Sequence, residues 1–252
     1  RLEETLGFSL FLRNNQGVIL TGEGEIFYRA VLEMKKTYES ALRKIKGGKQ
    51  NKIYIGVALN QCPKFLMDGC SVFQKKYPKT VLHLKELPYE QHLDGIRQGK
   101  IDLTVIAKPK DSYLNELVYN ELCEDTCAFG VNGESVLARK DKIRRQDLNG
   151  TKVLCGTYQY MEASFEEMLK GSGANLQALH TEYNLESMAQ AKFNDSVLVF
   201  HSHWKNCYSH ILKVLPSDIR AGSIGVVMRE EDRERMKNLI TELRKAMGTQ
   251  IC

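Results

Sequence analysis

The chain has no apolar run approaching the roughly 18 residues that a membrane-spanning helix requires, and no apolar stretch at its front leads into a cleavage motif. A soluble, cytoplasmic protein with no membrane partner is therefore expected. Its seven cysteines are odd in number and irregularly spaced, which does not describe a disulfide framework in a chain of 252 residues. Reduced thiols are expected instead. A Gly-x-Ser-x-Gly elbow, a phosphate-binding loop and a zinc-protease helix are all missing, so no covalent chemistry, cofactor or metal is implied. Low-complexity tracts and repeats of the solenoid kind are also absent.

What is present is a globular composition, 42% hydrophobic and 27% charged, in a chain long enough to bury a substantial core. Lysine and arginine number 36 against 31 acidic residues, for a net charge of +5. That balance suits nucleic acid or an anionic ligand and is diagnostic of neither. The bases are unevenly placed, since residues 29 to 49 hold seven of the nine found in residues 1 to 50.

In SLFLRNNQGVIL two apolar runs flank Asn14, Asn15, Gln16 and Gly17, the composition of a hairpin tip, and two short strands are predicted. Thr21 offers a capping oxygen, and Glu23 and Glu25 follow where the positive end of a helix favours acids. Along the helix predicted from there, Phe27, Val31, Met34, Tyr38, Ala41 and Ile45 alternate spacings of four and three, a heptad stripe that needs a partner. Lys44 and Lys46 occupy its last turn, and Gly47 and Gly48 stop it, which puts a domain boundary there. Beyond it come the strand KIYIGVAL, a helix opened by Pro63 with Leu66, Phe73 and Tyr77 on its buried face, and the strand TVLHLKEL. A short helix over residues 92 to 98 and the strand KIDLTVIAK complete a β-α-β-α-β run, the pattern of a parallel sheet covered by helices. Two strands are predicted near LVYNELC and CAFGV. TKVLCGTY, SFEEMLKG and SVLVFHS then predict a second α/β lobe, and SIGVVMR leads into a helix over residues 230 to 247 that packs back on the first lobe.

LEETLGFSLFLRNNQGVILTGEGEIF resembles the end of the winged helix-turn-helix of LysR-type transcriptional regulators. Leu2, Glu3, Leu6, Gly7, Leu10, Phe11, Arg13, Leu20, Thr21 and Gly24 match that pattern one by one, and GKIDLTVIAKP is similar to the segment ending the first β-α-β run of the family's effector domain. The resemblance implies an α/β fold: a two-lobed, periplasmic-binding-protein-like effector domain preceded by a wing remnant and a long dimerisation helix. Residues 1–20 would be the wing remnant and 21–48 the linker helix and hinge. Residues 49–127 with 229–252 would form lobe I, and 128–228 lobe II. It implies DNA, a homodimer or homotetramer, and a small-molecule effector, anionic or polar, held between the lobes. By the same analogy about 35 to 40 residues carrying groove-reading helices would precede Arg1, which would end the recognition helix.

Candidate sites follow from the same comparison. Arg1, Arg13, Asn14 and Asn15 would meet DNA, where arginine supplies charge and short amides adapt to the backbone. Phe27, Val31, Met34, Tyr38, Ala41 and Ile45 would form the dimer contact. Effector contacts would come from Asn60, Gln61 and Cys62 after the first strand and Pro88 and Tyr89 after the second. Lys108 at the end of the third and Thr157, Tyr158 and Gln159 in the second lobe would join them. NDSVLVFH departs from the family's glycine-rich pattern and places Asn194, Ser196 and His201 at the rim. His203, Cys207 and His210 stand at spacings that a metal site could use, but no carboxylate or second cysteine pair supports one. Cys123 and Cys127 invite a redox reading; with Cys155 inside a strand, buried and unreactive thiols are expected. Asp102 is expected to satisfy a turn. Two rivals remain: a stand-alone solute-binding protein, and an enzyme using Cys62 at a helix N-terminus, where a thiol pKa can fall.

Overall fold

The computed structural model describes residues 1–14, 17–47, 52–59, 61–156, 159–179 and 183–248. The chain divides into two units, residues 1–51 and 52–252. In the first, helix α1 (Leu2–Leu6) precedes strands β1 (Phe11–Asn14) and β2 (Gly17–Leu20), which pair antiparallel with Phe11 opposite Leu20. Arg1 precedes α1 as its N-cap, so the helix runs past the Arg1 end that the resemblance implies. Helix α2 (Gly22–Gly47) follows. Thr21 holds its start: its hydroxyl accepts from Gly24 N at 2.8 Å and donates to Ser9 O at 2.7 Å, while its own N–H donates to Leu10 O at 3.0 Å. A Cβ on Gly24 would lie 2.1 Å from that Leu10 oxygen, so the Leu-Thr-x-x-Gly pattern is a packing requirement. On α2, Phe27 is half-buried, Val31, Met34 and Tyr38 are 38%, 59% and 65% exposed, Ala41 is exposed, and Ile45 falls in the last turns.

The second unit begins with β3 (Lys52–Ala58), α3 (Lys64–Lys76), β4 (Val81–Leu87), α4 (His92–Arg97), β5 (Leu103–Ala107) and a single turn α5 (Asp111–Leu114). Pro63 stands extended immediately before α3, one position earlier than expected. Tyr77 lies beyond the helix and is 37% exposed, with its ring on that of Phe73; the buried face is made by Phe65, Leu66 and Phe73 without it. Next comes β6 (Leu117–Val131), one 15-residue strand where two were expected. Its interruption in the sequence, Glu124-Asp125-Thr126, is polar yet stays in the sheet because Asp125 finds partners across the fold. The remaining elements are β7 (Lys152–Gly156), α6 (Phe165–Met168), β8 (Asn175–Leu179), α7 (Leu185–Phe193), β9 (Val197–His201), α8 (Lys205–Tyr208), β10 (Lys213–Arg229) and α9 (Arg233–Gly248).

Among the described residues, eight strands join one sheet in the order β4-β3-β5-β10-β6-β9-β7-β8. Parallel triplets, β4-β3-β5 and β9-β7-β8, occupy the two ends. The long strands β6 and β10 pair antiparallel in the middle and run through both halves. Their register breaks between Pro216 and Gly222 and again at Ile224/Gly225, where the chain passes from one half to the other. Each half has its own core: Ile53, Ile55, Phe65, Leu103, Val226 and Leu243 in one, Phe129, Leu154, Val199, Phe200 and Tyr208 in the other. Helix α9 packs on α3, with Gly69 against Leu243.

Asp102 does more than satisfy a turn. It is buried, accepts from Tyr54 N at 2.8 Å, and pairs with Arg229 and Arg235, each at 3.1 Å. Asp232 engages the same two arginines. The carboxylate thus ties β3, β10 and α9 together, a role hidden in sequence because its arginine partners lie more than 120 positions away.

Candidate functional site

Strands β3, β5 and β9 are parallel members of their triplets, and their C-terminal ends bring side chains of both halves to one place, where open α/β sheets form crevices. A cavity lies there, partly open to solvent. Val57 and Ala58 of β3, Val105 and Ala107 of β5, and Leu66 of α3 line one side; Met161, Phe165, Phe200, Trp204 and Tyr208 line the other. The walls are apolar and largely aromatic, the common make-up of small-molecule sites.

Contacts from both halves bridge the mouth. Tyr89 and Tyr160 stack at 4.9 Å between ring centroids and 7° between planes, and the Tyr160 hydroxyl donates to Tyr89 O at 2.6 Å. Lys110 N donates to Tyr160 O at 2.7 Å, Glu162 N donates to Lys108 O at 2.9 Å, and the Lys108 ammonium pairs with Glu162 at 3.0 Å. Deeper in, the Gln61 amide donates to Tyr183 O at 3.4 Å.

The polar groups of the walls are fixed from behind. His92 Nε2 lies 3.2 Å from Leu87 O and its Nδ1 2.7 Å from the Thr104 hydroxyl, which itself donates to Gly56 O at 3.1 Å; burial lowers the His92 pKa. The Tyr183 hydroxyl donates to Val199 O at 2.6 Å and accepts from Gly156 N at 2.9 Å. His201 is held by Asp125, whose buried carboxylate accepts from His201 Nδ1 at 3.2 Å, from His203 Nδ1 at 2.9 Å and from the Ser202 hydroxyl. Burial by itself would push the Asp125 carboxyl up, but the hydrogen bonds and charge interactions with the two imidazoles outweigh it and hold the group well below the usual carboxylate range. At the other edge of the His201 ring, Nε2 is buried and has no hydrogen-bond partner, a condition that costs about 1–3 kcal/mol.

A match to the family model described as "LysR substrate binding domain" runs over residues 46–248. The chain belongs to the LysR substrate-binding domain family. Among relatives of this LysR chain, the HTH-type transcriptional regulator YvbU of Bacillus subtilis is 26% identical over 190 residues, covering 74% of this chain and 63% of that protein. The chain spans about half the length of the curated relatives it matches. Two solved structures share its fold at low identity. A full-length OxyR variant from Pseudomonas aeruginosa gives a TM-score of 0.64 at 17% identity, covering 96% of this chain and 82% of that one. Full-length CbnR in complex with its target DNA gives 0.65 at 13% identity, covering 97% and 86%. The fold is therefore the two-lobed LysR effector-domain architecture, with the cavity between its lobes.

Of the residues singled out from sequence, the structure brings Gln61, Tyr89 and His201 to the cavity. Asn15, Asn60, Thr157 and Tyr158 lie outside the described residues. Cys62, Pro88, Lys108 and Gln159 do not line it. Cys62 packs half-buried against the lobe I core, and burial together with Glu86 pushes its thiol up, against the activation a helix start would offer an enzyme. Pro88 caps the turn at Tyr89, the Lys108 side chain turns to Glu162, and Gln159 is exposed in a turn. Asn194 caps the end of α7 and Ser196 is buried before β9, at the opposite end of that strand from His201 and away from the cavity rim. Arg1 and Arg13 are exposed, and Asn14 ends β1.

His203 binds Asp125 while His210 is exposed past the single turn α8, so the expected helical face does not form; among the described residues no cluster of histidine, cysteine and carboxylate side chains could hold a metal ion. Cys123 and Cys127 are free thiols, both pushed up to about 12 chiefly by burial. Cys123 lies 3.9 Å from His203 Nε2, and Cys127 lies 3.9 Å from the Met168 sulfur in the other core. His92, Phe165, Tyr183 and Trp204 are cavity residues that sequence reasoning missed. The usable signal was weak: aromatic and histidine residues just past the ends of parallel strands.

Proposed function

We propose that the chain is the linker and effector-sensing part of a DNA-binding transcriptional regulator of the LysR type, working in the cytoplasm as a homodimer or homotetramer. No described helix is long and apolar enough to cross a membrane. The observation that carries the reading is the cavity at the ends of β3, β5 and β9, bridged at its mouth by residues of both halves. A molecule held there touches both halves at once, so it favours the separation that lets both reach it, and only such a differential preference can transmit a signal. Residues 1–20 serve as wing and 21–48 as linker helix and hinge; 49–127 with 229–252, and 128–228, serve as the two lobes. Val31, Met34 and Tyr38 give α2 an exposed apolar stripe of the kind two copies bury together. Arg13 at the hairpin would meet phosphates. The CbnR structure with its target DNA supports DNA as the partner.

The test joins ligand and operator. Native mass spectrometry identifies the small molecule that the purified protein retains, and that molecule changes operator binding by a protein carrying a complete DNA-binding head. In the same protein Arg13→Ala weakens binding similarly across sequences and flattens its salt dependence. An operator affinity indifferent to every retained molecule would refute the sensing role, and an unchanged salt slope would remove the wing from the interface.

A further inference from the structure

The two halves of the second unit are joined in two ways. Each has its own core, and the chain passes between them on β6 and β10, whose pairing slips between Pro216 and Gly222 and again at Ile224/Gly225. Gly222, at φ 79°, takes the left-handed conformation that glycine adopts without strain. Interrupted pairing offers few ladder bonds against bending, so the crossovers are suited to act as hinges. The other join is not covalent.

It centres on Tyr160. That residue follows β7 in the second half, yet its side chain is buried in an apolar cluster of the first, with Leu93, Ile96 and Ile106, and its ring lies 4.9 Å from that of Tyr89. Beside it, residues 108–110 and 160–162 form a short antiparallel bridge with Pro109 opposite Met161, made by Lys110 N donating to Tyr160 O at 2.7 Å and Glu162 N donating to Lys108 O at 2.9 Å. The Lys108–Glu162 ion pair flanks it. All of these contacts can part without disturbing either of the two large cores. Behind this strap the cavity leaves about 40 Å³ for water-sized atoms, room for about three waters; ordinary small-molecule sites hold about 300–1,000 Å³. Entry of such a molecule needs the halves to move apart.

We propose that Tyr160 and the bridge beside it form a latch. The halves swing apart about the β6 and β10 crossovers when Tyr160 leaves its seat in the first half, which admits a small molecule, and Tyr160 reseats to hold that molecule with the wall rings repacked around it. The proposal rests on the reading of this cavity as the effector site and adds the device that opens it.

Amide hydrogen exchange followed by NMR reads the opening directly. In the wild type the Lys110 and Glu162 amides, which donate the two bridge bonds, are expected to be equally protected, at least about tenfold less than Val226 in the middle of the sheet. Tyr160→Phe combined with Glu162→Ala removes the hydroxyl bond and the ion pair but keeps the ring in its seat. It should lower the protection of both bridge amides about tenfold and leave Val226 unchanged. Tyr160→Ala also empties the seat, so acrylamide should quench Trp204, the one tryptophan of the chain and a residue packed on both large cores, more strongly than in the wild type. Bridge amides as protected as Val226, a change at only one of them, an equal loss at all three, or a folded Tyr160→Ala with unchanged quenching each overturns the latch. If Tyr160→Ala does not fold, the exchange data decide alone. No ligand enters these measurements, so a latch that fails them leaves the sensing role to be judged by operator binding.

Discussion

Replacing Asp125 by asparagine changes one atom and touches four hydrogen bonds. The carboxylate's Oδ1 accepts from His203 Nδ1 at 2.9 Å, from the Ser202 hydroxyl and from Thr126 N at 2.8 Å, while Oδ2 accepts only from His201 Nδ1 at 3.2 Å. An asparagine places its carbonyl where three donors converge, which turns its NH2 toward His201 Nδ1–H, donor against donor. That contact must then break or rearrange. Loss of the charge-assisted part of these bonds costs about 3 kcal/mol, which for a unit of this size lowers Tm by roughly 6–12 °C. Urea and calorimetric melts at pH 7 measure it. Because the folded state depresses the Asp125 pKa, its carboxylate contributes fully above the ordinary aspartate value and loses that contribution as pH falls. The gap between wild type and variant should therefore narrow below about pH 4. A stability loss under about 1 kcal/mol, or a gap that is constant with pH, would refute the assignment of Asp125 as the anchor of both imidazoles.

Three further outcomes are expected. Tyr160→Phe keeps the stack on Tyr89 but deletes the hydroxyl's bond to Tyr89 O; it should weaken binding in the cavity about fivefold by titration, and unchanged binding would show that the strap does not hold the closed state. Gly69→Ala would place its Cβ 2.8 Å from Leu243 Cδ2 and 3.1 Å from Leu243 Cα; overpacking of this kind costs about 1–3 kcal/mol in urea melts, and a neutral result would mean that α3 and α9 slide apart freely. Asp102→Ala leaves Arg229, buried on β10, with Asp232 and Glu231 but without Asp102; the expected loss is about 2–3 kcal/mol, measured by the same melts.

The hairpin at residues 11–20, the capped helix after Thr21 and the first β-α-β-α-β run were legible because each is specified by neighbours a few residues apart: turn amides, a capping hydroxyl, alternation along a strand. Strand β8 and helix α7 were missed. Asn-Leu-Gln-Ala-Leu is half-exposed at the sheet edge, and α7 has little segregation of apolar residues, so neither announces itself. The continuity of β6 was hidden for a different reason: Glu124-Asp125-Thr126 reads as a break until partners are found for it.

By itself, the sequence determined the periodicities and the caps, since these depend on interactions that local chain geometry guarantees. Tertiary structure alone decided what the buried polar groups do. Asp125 meets His201, Ser202 and His203 across 76 to 78 positions of chain, and Asp102 meets Arg229 and Arg235 across 127 and 133. A carboxylate or an imidazole has the same composition in a solvated turn as in a cavity wall. Burial sets the cost of leaving it unpaired, and only the assembled sheet brings the partner that meets that cost.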